Sequence, residues 1–326
     1  METTRPVPCD RLCFVGTDIY VECSIAAHRM GERLEGRGKV AVVGVIDPRN
    51  AEAQIKTRIF ISQLTAHYPG VRVVASIGSG KWDIRNRSRE LTLDLLAEHG
   101  DLAGIYSNVD EAMKGIAEAA EIAEASPCII GPCNEPHLMD MIADGRISCG
   151  LVYNRFAYGF DAVVLLYNHI VAGRTPVRRR LLSTPEVADP DNLDDIYTPQ
   201  EGFLVSDRIR RHLCRPVNAA PRRTLRFELQ LEGVGTWFAE TIRGAREAGL
   251  VLPDTEVIVN NWRLSDMTDE QMEEKRIAEL DRARADGVDG VVLWVLNDHI
   301  VPHINEVVRQ GMQVVVFHTE PVNYDA

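Results

Sequence analysis

The sequence predicts an α/β protein built as two doubly wound parallel-sheet lobes separated by a proline-rich connector. Three observations carry this. Short β-branched runs alternate with longer helical patterns, the alternation occurs twice, and a proline-rich stretch separates the two series. A length of 326 residues accommodates two domains of roughly 150 residues each.

The first strand is expected at 12–15, followed by a helix at 21–34 that Gly36 and Gly38 end. Lys39-Val-Ala-Val-Val-Gly-Val-Ile46 is apolar without alternation, as a strand covered on both faces must be, and Asp47-Pro48 breaks it. Residues 51–68 place Ile55, Ile59, Phe60 and Leu64 on one helical side; 71–77 is a strand and 84–98 a helix. Strands at 103–107 and 128–131 alternate with helices at 111–125 and 136–144, and a strand at 146–153 precedes a helix at 158–172 that Gly173 ends. From 175 to 221 six prolines and an acidic cluster (Asp189, Asp191, Asp194, Asp195) break the rhythm, which predicts a connector with one helix near 206–213. The alternation then resumes with strands at 224–231, 255–260, 290–295 and 313–317 and helices at 236–248, 270–286 and 302–309. The 270–286 helix reads as long and amphipathic.

Composition excludes several classes. Hydrophobic residues at 45% and charged residues at 26% are ordinary for a globular chain with a sizeable core. Thirty-six basic against 48 acidic residues give a net charge of -12, a field that repels nucleic acid. No apolar run approaches the roughly 18 residues that cross a bilayer. Arg5, Asp10 and Arg11 stand where an export signal has its apolar stretch, so the chain as written is expected in the cytoplasm. The seven cysteines are odd in number and set among apolar residues, which predicts reduced thiols acting as small hydrophobes.

No catalytic or cofactor signature emerges, and neither an enzyme, a cofactor nor a metal is expected. Cys133 and His137 match no nucleophile pattern. His299 and His303 share a helix face without HExxH or CxxC support. Gly78-Ser79-Gly80-Lys81 lacks the spacing of a phosphate-binding loop and reads as a turn.

Several segments together resemble the ribose-type periplasmic binding proteins and the ligand-binding core of lac-repressor-like regulators. They are Gly235-Thr-Trp-Phe238 followed by Ile242-Arg-Gly-Ala245; Ala285-Asp-Gly-Val-Asp-Gly-Val-Val292; Gln310-Gly-Met-Gln-Val-Val-Val-Phe317; Val15-Gly-Thr-Asp18; Tyr106-Ser-Asn-Val-Asp-Glu-Ala112; and Ile142-Ala-Asp-Gly145. The resemblance covers nearly the whole chain, with the lobes in the opposite order. It implies the family's second lobe at 1–155, a helix at 156–176 packing on the other lobe, a connector at 177–221 and the family's first lobe at 222–326. Joining Ala326 to Met1 would restore the usual order, as in a circular permutant; a slice of a longer tandem chain would give the same order. In either case the natural amino terminus would lie near residue 220, and a periplasmic or extracytoplasmic location follows as readily as a cytoplasmic one.

The resemblance also implies a ligand crevice at the carboxyl ends of the strands, with Trp237 and Phe238 as the aromatic pair of the first lobe and Trp82 as the aromatic of the second. His318-Thr319 replaces the family's Asp-Arg pair. Lys56 stands where an arginine reaches the ligand, Val109 replaces an asparagine, Pro132-Cys133 an aromatic and an aspartate, and Tyr153 a glutamine or asparagine. Asp18, Asn108, Glu135 and Trp294 complete the candidate set. Lys56 and the lost carboxylates make a ligand with an acidic group plausible, and His318 brings a group that titrates near neutrality.

The expected function is non-catalytic binding of a sugar, sugar acid or similar solute with hinge closure, with an ABC permease or a regulator as the macromolecular partner. The alternative is the sensing core of a lac-repressor-like regulator acting through a dimer. The basic stretch 205–223 stands where such regulators carry a DNA-binding head, but lacks convincing paired helices, so no direct nucleic-acid binding is expected.

Overall fold

The computed structural model describes residues 8–47, 50–80, 83–232, 237–262, 268–295 and 298–320. In chain order the elements are β1 (Cys13–Thr17), α1 (Ile19–Arg33), β2 (Arg37–Val45), α2 (Ala51–His67), β3 (Gly70–Ser79), α3 (Ile84–Glu98), β4 (Leu102–Tyr106), α4 (Asp110–Ile122), β5 (Cys128–Pro132), α5 (Pro136–Ala143), β6 (Cys149–Val152) and α6 (Arg155–Ala172). The region expected as a connector holds β7 (Arg180–Ser183), β8 (Glu186–Ala188), β9 (Tyr197–Thr198), β10 (Gly202–Phe203) and α7 (Asp207–His212). Then follow β11 (Leu225–Glu232), α8 (Ala239–Val251), β12 (Thr255–Trp262), α9 (Asp269–Ala285), β13 (Gly290–Trp294), α10 (Val301–Arg309) and β14 (Gln313–Phe317). Local chemistry sets the helix starts: Asp18 and Asn154 accept the backbone N–H of Val21 and Ala157, and Thr268 and Gln271 close a reciprocal box on α9.

The chain divides into two compact units. Unit 1 comprises residues 1–16, 154–183 and 207–326; unit 2 comprises 17–153 and 184–206. This differs from the expected boundaries in two places. Residues 8–16 fold with unit 1, because β1 pairs in parallel with β14 through Phe14↔Val316. The supposed connector is shared out: β7 closes one edge of the unit 1 sheet, and β8 pairs antiparallel with β6 at the edge of the unit 2 sheet. Leu181-Leu182 and Val187 supply apolar residues on either side of Pro185, and an edge strand tolerates a nearby proline.

Unit 2 has the strand order β3-β2-β4-β5-β6-β8. Its apolar runs are explained by burial on both faces: Ala41 and Val43 join Ile105, Met113, Ile129 and Leu138 on one side, while Val40 and Val42 join Phe60, Leu64, Tyr106 and Ile130 on the other. The Phe60 and Tyr106 rings stack at 3.9 Å.

Unit 1 has the order β12-β11-β13-β14-β1-β7. Counting from β11, this is second, first, third, fourth, and β1 takes the fifth place. The β2 to β6 series of unit 2 has the same arrangement. Helix α6 packs along α8 at a close crossing where neither helix has room for a side chain: a Cβ on Gly159 would lie 1.9 Å from the Thr241 carbonyl oxygen, and one on Gly244 2.0 Å from that of Phe156. Helix α9 forms where expected but lacks the clean apolar stripe of an amphipathic helix: between Met272 and Leu280 it buries Arg276, which pairs with buried Glu232 on β11.

Candidate functional site

In a parallel sheet the loops at the carboxyl ends of the strands are where side chains converge on a ligand. In unit 1 these ends bring together Trp237 and Phe238 ahead of α8, Trp294 at the end of β13 and His318-Thr319 after β14; β13 and β14 are in register through Trp294↔Phe317. The Trp237 ring lies 4.7 Å from His318 in an edge-on contact and 5.7 Å from Trp294. Phe238 packs 4.5 Å from Trp237 and 5.2 Å from Trp294. Phe238 is 4% exposed, whereas Trp237, Trp294 and His318 are half-buried, so Phe238 is the anchor and the other three form the face. Trp294 Nε1 donates to Thr319 Oγ1 at 3.3 Å.

His318 adopts a left-handed backbone, φ 65°, which costs a non-glycine residue of the order of 1 kcal/mol. Its backbone N–H is held by the Val15 carbonyl at 2.9 Å, and its ring packs 5.9 Å from Tyr158. Arg155, buried at the start of α6, places its guanidinium 4.1 Å over the Trp237 ring and donates to the Trp237 carbonyl at 3.1 Å. Burial raises the Glu240 carboxyl above the usual carboxylate range, against the pull of Arg243 and Arg155. Neither Arg155 nor Tyr158 is among the site residues expected from the sequence. The one signal for Arg155 was a charged residue opening a largely apolar helix.

The unit 2 candidates are arranged differently. Lys56 and Tyr153 meet, but inward. Lys56 Nζ donates to Tyr153 Oη at 2.9 Å and pairs with Glu52 at 2.9 Å and Glu22 at 3.4 Å; Tyr153 Oη donates to Glu22 at 2.8 Å. Burial pulls the Lys56 ammonium down, but the Glu22 and Glu52 carboxylates overcome this and hold it well above the ordinary lysine value. Burial raises the Glu22 carboxyl, with Lys56 and Tyr153 opposing. Lys56 is therefore a saturated buried cation with no charge to offer an acidic ligand, contrary to the expectation from the sequence.

Other positions are corrected on similar grounds. Cys133 is fully buried in the apolar core, its thiol pushed far above the usual range by burial and by Asp110. Asn108 ties β2 to α2, accepting from Val45 N–H and donating to Val45 and Ala53 carbonyls and Thr57 Oγ1, so it is a structural knot. Val109 packs on the core at the start of α4, and Asp18 caps α1. Glu135 sits at the head of α5. Ser79 belongs to β3, which runs through the segment expected to turn at Gly78. Trp82 lies outside the described residues.

A family model described as a periplasmic binding protein domain matches residues 3–175. The chain belongs to this family. Solved structures agree in fold: a sugar-binding protein of a sugar ABC transporter from Bacillus halodurans (24% identity, TM-score 0.51, 56% of this chain and 65% of that one), an ABC transporter solute-binding protein from Agrobacterium vitis bound with alpha-D-tagatopyranose (18%, 0.51, 63% and 63%), and a periplasmic ribose ABC transporter protein from Conexibacter woesei (17%, 0.52, 57% and 61%). The chain thus spans less than two thirds of the length of each of these structures. No curated protein matches it. Among the described residues no cluster of three or more His, Cys, Asp or Glu is arranged to hold a metal ion, and no helix is long and apolar enough to cross a membrane.

Proposed function

We propose that this periplasmic-binding-protein chain binds a sugar or sugar-like solute without transforming it. The observation that carries the reading is the half-buried face of Trp237, Trp294 and His318 at the strand ends of unit 1. Flat indole faces suit the C–H faces of a pyranose, while Thr319 and His318 offer hydroxyl and imidazole partners to its hydroxyls. The names of the structural relatives, a tagatose-bound solute-binding protein and a ribose transporter component among them, support the ligand class. The side chains that would favour an anion, Lys56 and Arg155, are buried and engaged, which favours a neutral ligand.

A screen of pentoses, hexoses, polyols and sugar acids, read by melting temperature and tryptophan fluorescence, tests this. A ligand at a hundredfold its Kd stabilises by about 2.7 kcal/mol. The reading fails if no compound moves either signal, or if Trp237→Ala leaves a ligand's affinity unchanged.

The fifth-strand position of β1 supports a circularly permuted lobe order. Joining residue 326 to residue 1 and reopening the chain near residue 221 is expected to yield a protein with the same melting temperature and ligand response. An unfolded product would refute the permutation.

A further inference from the structure

Unit 1 carries an unusual charge pattern away from its aromatic face. Residues 174–183 contain four arginines (Arg174, Arg178, Arg179, Arg180) and no acid, in a chain whose net charge is -12. Residues 207–223 add six (Arg208, Arg210, Arg211, Arg215, Arg222, Arg223) against a single acid, Asp207. All ten are exposed.

The fold brings the two segments together along α6. The Asn168 backbone carbonyl accepts the Arg174 N–H at 3.2 Å, while its side-chain amide donates to the Arg215 carbonyl at 2.9 Å and accepts the Val217 N–H at 2.8 Å. Asp161 accepts the Cys214 N–H at 2.7 Å and Tyr167 Oη donates to the Ala219 carbonyl at 2.6 Å, so the 214–219 segment is strapped along α6. Cys13 Sγ meets the Arg178 carbonyl at 4.0 Å and lies close enough to Cys214 to raise its pKa. The two arginine segments therefore run beside α6, from the level of Asp161 to its carboxyl end.

Helices α6 and α8 run in the same sense. Thr241 donates to the Arg155 carbonyl near their starts, and Tyr167 near the end of α6 feels the charge of Asp254, beyond the end of α8. Their carboxyl ends lie at the amino ends of the strands, opposite Trp237 and His318.

Arg180, Arg210 and Arg223 are paired with Glu320, Glu247 and Asp289. Arg174, Arg178, Arg211, Arg215 and Arg222 have no ion-pair partner among the described residues. Among them stands Val177, whose side chain is wholly exposed, and at the end of α8 are Leu250 at 86% and Val251 at 55% exposure. The acids nearby are Asp207, Asp254 and the paired Glu247, Glu256, Asp289 and Glu320.

We propose that this face docks on an anionic lipid bilayer, the arginines on headgroup phosphates and Val177, Leu250 and Val251 entering the interfacial layer. Arginine suits phosphate because its planar fork binds two oxygens at once. The apolar residues decide between polyanions: a bilayer interface accepts them, whereas a nucleic-acid backbone gives them nothing to enter and extends into the field of a strongly negative protein.

The test is sedimentation of the full chain with vesicles of phosphatidylcholine and phosphatidylglycerol (3:1), against pure phosphatidylcholine, at about 0.1 M and 0.5 M salt. The chain is expected to bind only the anionic vesicles, and at least about tenfold more weakly at high salt. At about five-fold per arginine, the triple change Arg174→Ala, Arg178→Ala and Arg215→Ala lowers partitioning roughly a hundredfold, with an unchanged melting temperature. Val177→Asp, at an exposed position that leaves the fold alone, lowers it several-fold. The proposal is overturned if the chain does not bind the anionic vesicles, if it binds both lipids equally, or if the triple variant or Val177→Asp partitions like the parent. It is equally overturned if duplex DNA binds more tightly than the vesicles and Val177→Asp leaves that binding untouched, which would make the face a nucleic-acid surface.

Discussion

Asp161 makes the pH dependence of unit 1 calculable. Its carboxyl, 4% exposed within α6, accepts the backbone N–H of Cys214, and burial pushes its pKa up to about 7. The folded state therefore holds this proton more tightly than the unfolded chain, where an aspartate titrates near 3.9. Stability from this group is complete below about pH 4, falls as the pH rises through the window, and is gone above about pH 7. At about 1.4 kcal/mol per pH unit over roughly three units, the loss is about 4 kcal/mol. Asp161→Asn keeps the carbonyl that Cys214 needs and cannot ionise. The assay is urea unfolding of parent and variant at pH 4, 5, 6, 7 and 8, followed by tryptophan fluorescence, to which Trp237, Trp262 and Trp294 of unit 1 contribute. The other titrating groups cancel in the difference between the two proteins. The variant is expected to gain on the parent progressively, by about 4 kcal/mol in total from pH 4 to 8. A difference that stays constant within about 0.5 kcal/mol across that range would refute the reasoning, because the carboxyl would not be changing its charge there.

Three further predictions follow from the packing. Gly159→Ala forces a Cβ against the Thr241 carbonyl at a helix crossing that cannot open without moving backbone, and is expected to cost more than about 3 kcal/mol in urea unfolding; a loss below about 1 kcal/mol would show that the crossing is loose. Lys56→Met leaves Glu22 buried beside Glu52 without a cation, a loss of about 3–5 kcal/mol at pH 8 that shrinks at pH 5 as Glu22 takes up a proton; equal losses at both pH values would argue against the network. Phe238→Ala empties a buried site and should cost about 3–5 kcal/mol, whereas Trp237→Ala should cost less and abolish the ligand-induced fluorescence change; the reverse ranking would exchange the anchor and the face.

Most of the fold was legible because parallel-sheet strands are written as uninterrupted apolar runs. Val40 to Val43 is apolar at every position because both sheet faces are covered. The edge strands β7 and β8 were hidden by the prolines around them, since punctuation dominates a local reading and an edge strand needs only one partner. In the candidate site, Trp237 and Phe238 were expected from the family resemblance, and His318 follows β14, a strand whose position is plain. The fates of Lys56 and Cys133 were not legible. Whether Lys56 faces a ligand or a carboxylate depends on Glu22 and on Tyr153, which are 34 and 97 residues distant in the chain, and no local pattern records that meeting.

The seat of β1 has a kinetic consequence. Its partner strand β14 is about three hundred residues away along the chain, and the Phe14↔Val316 pairing closes a loop that contains the whole of unit 2. Unit 2 has its last piece by residue 206, whereas the central sheet of unit 1 stays open beside β14 until residue 317 has been made. During synthesis the first strand leaves the ribosome long before its neighbour exists, so its apolar edge must be shielded or kept waiting while the rest of the molecule forms.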